Sequence, residues 1–194
     1  MASVDAATVR RATPADAARM LKIYAWYVEH TAVTFEYDSP SPDEFAARVE
    51  RTTRRYPWLA LEEQGRLLGY AYAGPLYRRA AYDWSCETTI YLDREVRGHG
   101  YGRRLYGALE AALVEMGMRG MYACVAAPMA REDEYLTLDS ARFHARMGFS
   151  EAGRFHGCGY KFGRWYDVLW MEKRIGPLDH PARAPFKREG QDEA

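Results

Sequence analysis

Residues 84–117 read WSCETTIYLDREVRGHGYGRRLYGALEAALVEMG: a strand, a glycine-rich turn and a helix in succession. Thr88, Thr89, Ile90, Tyr91 and Leu92 are β-branched, aromatic or aliphatic, which suits a pleated, half-buried strand. Arg97-Gly98-His99-Gly100-Tyr101-Gly102 then places glycine at alternate positions, so the backbone can turn sharply with its N–H groups unshielded. Leu105, Leu109, Ala112, Leu113 and Met116 recur at helical spacing, and Gly117 is a C-terminal stop. Free N–H groups and the positive end of a helix dipole converge at such a junction, which makes it an anion site. Arg103 and Arg104 oppose the dipole in the first turn, and are better accommodated with a polyanion bound. A tight turn with solvated arginines is the alternative reading of the same residues.

The dinucleotide pattern G-x-G-x-x-G fails from either starting glycine, because Arg103 and Leu105 occupy the third glycine position. The P-loop fails as well, for want of a Gly-Lys-Ser/Thr. What fits is R-x-x-G-x-G, Arg97 to Gly102, directly after a strand. This resembles the pyrophosphate-binding motif of the GNAT (GCN5-related N-acetyltransferase) superfamily, which holds acetyl-coenzyme A. The resemblance implies cofactor contacts from Ile90, Tyr91, Leu92, Arg97, Gly98, His99, Gly100, Tyr101, Gly102 and Arg103; the His99 side chain reads as a solvent-facing turn residue.

The chain has 194 residues, 48% hydrophobic, enough for one good core. Lys+Arg and Asp+Glu balance at 27 each, so no global field recruits nucleic acid or an anionic membrane. No apolar run is long enough to span a bilayer, and the N-terminus lacks an apolar signal core. Cys86, Cys124 and Cys158 lack C-x-x-C spacing and read as reduced thiols of a cytoplasmic protein. The histidines form no H-x-x-x-H pair, so no metal is expected.

From the N-terminus, Thr8–Arg11 reads as a strand. Thr13-Pro14-Ala15-Asp16 caps a helix with its apolar stripe on Ala17, Met20, Leu21, Tyr24 and Val28. Thr31–Tyr37 is extended, and Ser41-Pro42-Asp43-Glu44 opens a second helix through about Arg54. Tyr56–Glu62 and Arg66–Ala73 make a hairpin, broken by Gly74-Pro75. After the central helix come a strand at Met121–Ala126, a loop at Met129–Asp139, a helix at Ser140–Met147 and a hairpin of Ser150–Tyr160 with Trp165–Lys173. The order gives one α+β domain over 8–175, followed by a Pro- and charge-rich tail over 176–194.

Four further stretches, Tyr56-Pro57-Trp58-Leu59, Gly69 through Pro75, Ala81-Tyr82-Asp83-Trp84 with Glu87, and Gly159 through Val168, resemble one GNAT branch, the phosphinothricin (bialaphos-resistance) acetyltransferases. This implies the GNAT fold, a mixed central sheet of about seven strands flanked by helices. It also implies acetyl-CoA as cofactor, a small amino-acid-like amine as acceptor and a homodimer. The branch's catalytic base falls on Glu87, just before the central strand, and its substrate-pocket positions fall on Phe35, Arg79, Tyr82 and Tyr106. His144 stands where other members carry an acidic tyrosine. The chain departs from the branch in about ten extra residues, Ala130 to Asp139, and in the tail.

Weighed singly, Glu87 is either a partly desolvated base among aromatics such as Trp84 and Tyr82 or a strand-end surface carboxylate. His144 is either the acid that protonates the departing thiolate or a packed helix histidine. Tyr106 is an acid, a substrate-orienting group or core. Arg79 either forks a substrate carboxylate or is solvated beside Arg78. An acetyltransferase of protein N-termini or lysines, or a non-catalytic acyl-CoA sensor, shares the motif.

Overall fold

A computed structural model describes residues 7–96, 98–178 and 185–186. Arg97 and most of the segment assigned to the tail lie outside the described residues. The strands are β1 (Thr8–Arg11), β2 (Trp58–Glu63), β3 (Arg66–Pro75), β4 (Ser85–Leu92), β5 (Gly120–Pro128), β6 (Ser150–Lys161) and β7 (Arg164–Arg174). The helices are α1 (Ala17–His30), α2 (Pro42–Thr53), α3 (Tyr101–Glu115) and α4 (Asp139–Arg146). One seven-stranded sheet runs β1-β2-β3-β4-β5-β7-β6, antiparallel except for the parallel pair β4–β5. This is the mixed α+β architecture expected from the sequence.

Strand alternation sorts the apolar residues into two layers. Leu59, Leu61, Ala71, Ala73, Met121, Ala123 and Leu169 meet Leu105, Leu109 and Leu113 of α3 on one face. Trp58, Ala60 and Tyr70 meet Met20, Tyr24 and Val28 of α1 and Phe45 and Val49 of α2 on the other. A third, small cluster of Ala32, Ala126, Leu136 and Tyr166 lies outside both. Phe186 packs edge-on against Tyr56, with the Arg55 guanidinium 4.2 Å from its ring centre.

Local chemistry sets the ends. Ser41 caps α2, its Oγ accepting from Glu44 N at 3.1 Å, with Pro42 in the first turn. At the start of α1 a 3-10 turn, Pro14–Asp16, precedes the helix, and the Asp16 carboxylate is gripped by both Arg10 terminal nitrogens at 2.8 Å. β3 and β4 are among the strands that run longer than the sequence suggested. β3 continues through Gly74-Pro75, since Pro75 pairs with Cys86 at a position whose main-chain N faces away from β4, so its missing N–H costs no ladder bond. β4 consequently begins at Ser85, and Glu87 lies inside the strand, opposite Gly74, rather than before it.

Candidate active site

The site is built where β4 and β5 part. Their parallel pairing covers only Ser85–Gly120, Cys86–Met121 and Glu87–Tyr122, after which both strands continue separately. Asp93 N donates to Leu68 O at 2.8 Å, which fixes the antiparallel alternation: Glu87, Thr89 and Tyr91 bond to β3, while Ile90 and Leu92 turn their N–H groups toward the gap. Of the three strand residues assigned to the cofactor, Ile90 and Leu92 thus offer main-chain donors to the gap. Tyr91 commits its own to Tyr70, and its ring packs among Tyr24, Tyr27 and Tyr70. The Leu92 carbonyl accepts from the Tyr27 hydroxyl at 2.7 Å, which ties the strand's end to α1.

The glycine loop closes the end of the gap. Gly98 and Gly100 have φ of +84° and +76°, the left-handed region that glycine alone enters at low cost, with no atom near where a Cβ would stand. Gly100 is the N-cap of α3, so the N–H groups of the first turn, beginning at Tyr101, lack intrahelical partners. Gly102 serves a different purpose: a Cβ there would lie 3.1 Å from the Phe143 ring and 3.4 Å from Leu92, so the helix sits close against α4 and β4. Tyr101 is buried and donates to Glu63 at 3.1 Å, leaving only its main chain to the loop. His99 and Arg103 are exposed.

Glu87 is half-buried on the sheet face that carries Tyr72 and Tyr91, and desolvation raises its carboxyl above the usual carboxylate range. On the same face a chamber of about 250 Å³ is walled by Tyr24, Phe45, Trp58, Tyr70, Tyr72 and Tyr91, with Glu36 and Arg48 paired at 2.7 Å among its lining. Cys124, on β5, has an exposed surface, yet partial desolvation, helped by Glu87, pushes its thiol up to about 11. That thiol stays protonated at neutral pH, and nothing in the spacing of the cysteines pointed to its place.

The opposite face holds a hydrogen-bonded chain. Thr88 Oγ1 lies 2.6 Å from the Tyr106 hydroxyl and 3.1 Å from the Tyr122 carbonyl, and the Tyr106 hydroxyl lies 3.2 Å from His144 Nε2. His144 Nδ1 is 2.8 Å from the Ser140 carbonyl, and a carbonyl only accepts, so Nδ1 carries the proton. Burial lowers the His144 pKa, so the ring is neutral at pH 7 and Nε2 accepts from Tyr106. Tyr106 has no exposed surface, and burial raises its hydroxyl far above the usual value.

Phe35 is half-buried, stacked on Tyr166 at 6.4 Å. Arg79 and Tyr82 sit apart from it on an exposed stretch, where Tyr82 packs on Tyr77 at 4.9 Å. The structure thus puts Glu87 on the same strand as the two donors, with the glycine loop beyond that strand's end, and joins Tyr106 to His144. Arg79 and Tyr82 are exposed in the stretch before β4, and neither lines the chamber. The extra residues form an ordered loop: Asp133 Oδ1 accepts from Tyr135 N and Leu136 N, both at 2.9 Å, and Arg164 pairs with Asp133 at 3.0 Å. Among the described residues no group of three His, Cys, Asp or Glu could hold a metal.

Residues 9–170 match the acetyltransferase (GNAT) domain, and the chain belongs to that family. It is similar to the phosphinothricin N-acetyltransferase of Streptomyces viridochromogenes, 35% identical over 165 residues that cover 85% of this chain and 86% of the relative. It is 30% identical to the L-methionine sulfoximine/L-methionine sulfone acetyltransferase of Salmonella typhimurium, over 87% of this chain and 94% of the relative. A phosphinothricin acetyltransferase of Sinorhizobium meliloti, solved in complex with acetyl-CoA, superposes with a TM-score of 0.79 at 34% identity, over 88% and 89% of the two chains. The chain is an N-acetyltransferase, and acetyl-CoA is its cofactor. The geometry fits: left-handed glycines and an uncovered helix N-terminus suit a diphosphate, and a parted strand edge with two free N–H groups suits an extended amide-bearing arm.

Proposed function

We propose that the acceptor is the amine of a small amino acid or close analogue, of the phosphinothricin and methionine sulfoximine or sulfone type. The observation that carries this reading is the half-buried Glu87, raised in pKa, at the point where β4 and β5 separate. A carboxylate poised toward neutrality can take the proton of an ammonium at working pH. The Ile90 N–H is a donor for the thioester carbonyl and the Leu92 N–H one for an amide of the cofactor's arm, and the amides of residues 98–103, with Arg97 and Arg103, hold the diphosphate. Acetyl-CoA, when bound, supplies an activated acetyl thioester. The exposed Arg79 receives the acceptor's carboxylate, and Phe35 and Tyr82 wall the acceptor.

On the other face, the Tyr106 O–H rests on His144 Nε2; turned from that ring toward the gap it is the acid toward sulfur, and His144 holds it until then. Tyr106→Phe is expected to lower kcat by about tenfold, less than a full acid–base loss because a thiolate leaves readily. Saturating steady-state assays check this, and an unchanged kcat would return Tyr106 to a structural role.

The acceptor is tested by thiol release over free amino acids, phosphinothricin, methionine sulfoximine and methionine sulfone, against peptides with free N-termini and lysines. Turnover of the small amines with inert peptides is expected. Peptide turnover favours the protein-acetylating alternative, and no turnover favours a sensor.

The chain assembles as a homodimer. β6 is an outer strand of the sheet, with Phe155 57% exposed on it and Trp165 58% exposed on its partner strand. Light scattering at micromolar concentration should give twice the chain mass; a monomer overturns the assignment. The three free cysteines fit a reducing cytoplasm, and residues 8–175 form the catalytic domain with 176–194 as its tail.

A further inference from the structure

The acceptor side has a support that none of the chemical steps uses. Lys161, the last residue of β6, is 2% exposed. Its ammonium donates to three main-chain carbonyls, Val28 at 2.7 Å, Thr31 at 3.0 Å and Thr34 at 2.9 Å. These belong to the last turn of α1 and to the segment leaving it toward Phe35. The last carbonyls of a helix lack intrahelical partners and carry the negative end of its dipole. An ammonium offers three donors and no acceptor, so all of its hydrogen-bonding capacity is used. Burying a charge is costly, and one this fully bonded to a single segment points to an ordering role for that segment.

Its two predecessors hold the same segment. A Cβ on Gly159 would lie 2.1 Å from the Phe35 ring, so that ring rests on bare β6 backbone. The Tyr37 hydroxyl donates to the Tyr160 carbonyl. From the other side, Ala32 N donates to Tyr135 O at 2.9 Å, and the Tyr135 ring stacks on Phe162 at 4.3 Å. The segment between α1 and α2 has no helix or strand of its own. Its shape comes from these partners.

We propose that Lys161 is a positioning residue for acceptor binding: its ammonium fixes residues 31–37 and so sets where the Phe35 ring stands. This rests on Phe35 being an acceptor contact in the reading above. The test compares Lys161→Met, Lys161→Gln and Phe35→Ala with the parent enzyme, using the best acceptor from the amine panel. For Lys161→Met, acceptor KM should rise by about tenfold or more, while acetyl-CoA Kd by calorimetry stays within about twofold. Hydrogen exchange should quicken at residues 28–37 and remain unchanged over β1–β4. Lys161→Gln, which keeps two donors, should fall between. With Phe35→Ala added, Lys161→Met should cost little more than the worse single change, because both act through one ring.

If Phe35→Ala raises acceptor KM and Lys161→Met does not, the role of Lys161 is overturned and the acceptor site stands. If Phe35→Ala leaves acceptor KM unchanged, the acceptor-site reading falls and takes this inference with it. Failure of both Lys161 variants to fold, or quickened exchange throughout the sheet, would make the residue a global support and overturn its local role.

Discussion

Glu87→Gln is expected to lower kcat by about a hundredfold or more, with acetyl-CoA affinity unchanged. The amide keeps the size and hydrogen-bonding shape of the carboxyl but cannot accept the acceptor's proton. The pH profile separates this from a packing effect. Desolvation raises the Glu87 pKa, and a base works only when deprotonated, so the parent enzyme should lose rate as pH falls through that raised value. The variant should lose this limb and keep only the one set by the acceptor amine itself. Stability moves the other way. A folded pKa above the unfolded one gives stability that is full below the unfolded value and is lost as pH rises through the folded one. Above that folded value the ionised Glu87 burdens the fold, and there the glutamine variant should melt at the same temperature or higher. A variant with full kcat across neutral pH would remove Glu87 from the chemistry.

The second large effect is expected at Gly100. Its φ of +76° is the left-handed region, where a side chain costs about 1–2 kcal/mol, more for a β-branched residue. No tertiary neighbour stands within 4 Å of a Cβ there, so Gly100→Val acts first on the backbone conformation. The N-cap of α3 either strains or turns, and the N–H groups that follow it lose their common direction. Acetyl-CoA Kd by calorimetry should weaken by about tenfold or more, with a modest fall in melting temperature. Gly102→Ala is the contrast: its Cβ meets the Phe143 ring at 3.1 Å, so it should cost packing first and affinity second. Equal Kd values for Gly100→Val and the parent would mean that the loop does not hold the diphosphate.

Much of this site is legible in one stretch of sequence because its information is local. Glycine at positions 98, 100 and 102, apolar spacing in α3, and the alternation that puts Glu87 on one face with Thr89 and Tyr91 all follow from neighbours along the chain. What the stretch could not show is relational. Nothing in Thr88–Leu92 says that the parallel partner leaves after Glu87, yet that departure frees the Ile90 and Leu92 donors. The same pairing rule sends the Tyr91 main chain to β3. Gly74-Pro75 does not break β3, because a proline's harm depends on which side its nitrogen faces, and only the sheet decides that. Lys161 and Gly159 were visible only as parts of a family stretch. Both point inward on β6, where a lysine reads as an anomaly until three carbonyls are found around it. The Thr88–Tyr106–His144 chain joins strand, α3 and α4 across the core, and no spacing along the sequence encodes it.

A crystal structure of the enzyme with acetyl-CoA tests the placement of the site most directly. The diphosphate should rest on the amides of residues 98–103, and the thioester carbonyl should lie within hydrogen-bond reach of the Ile90 N–H, on the Glu87 side of the gap. A cofactor bound elsewhere, with the gap between β4 and β5 closed or the glycine loop bare, would contradict it.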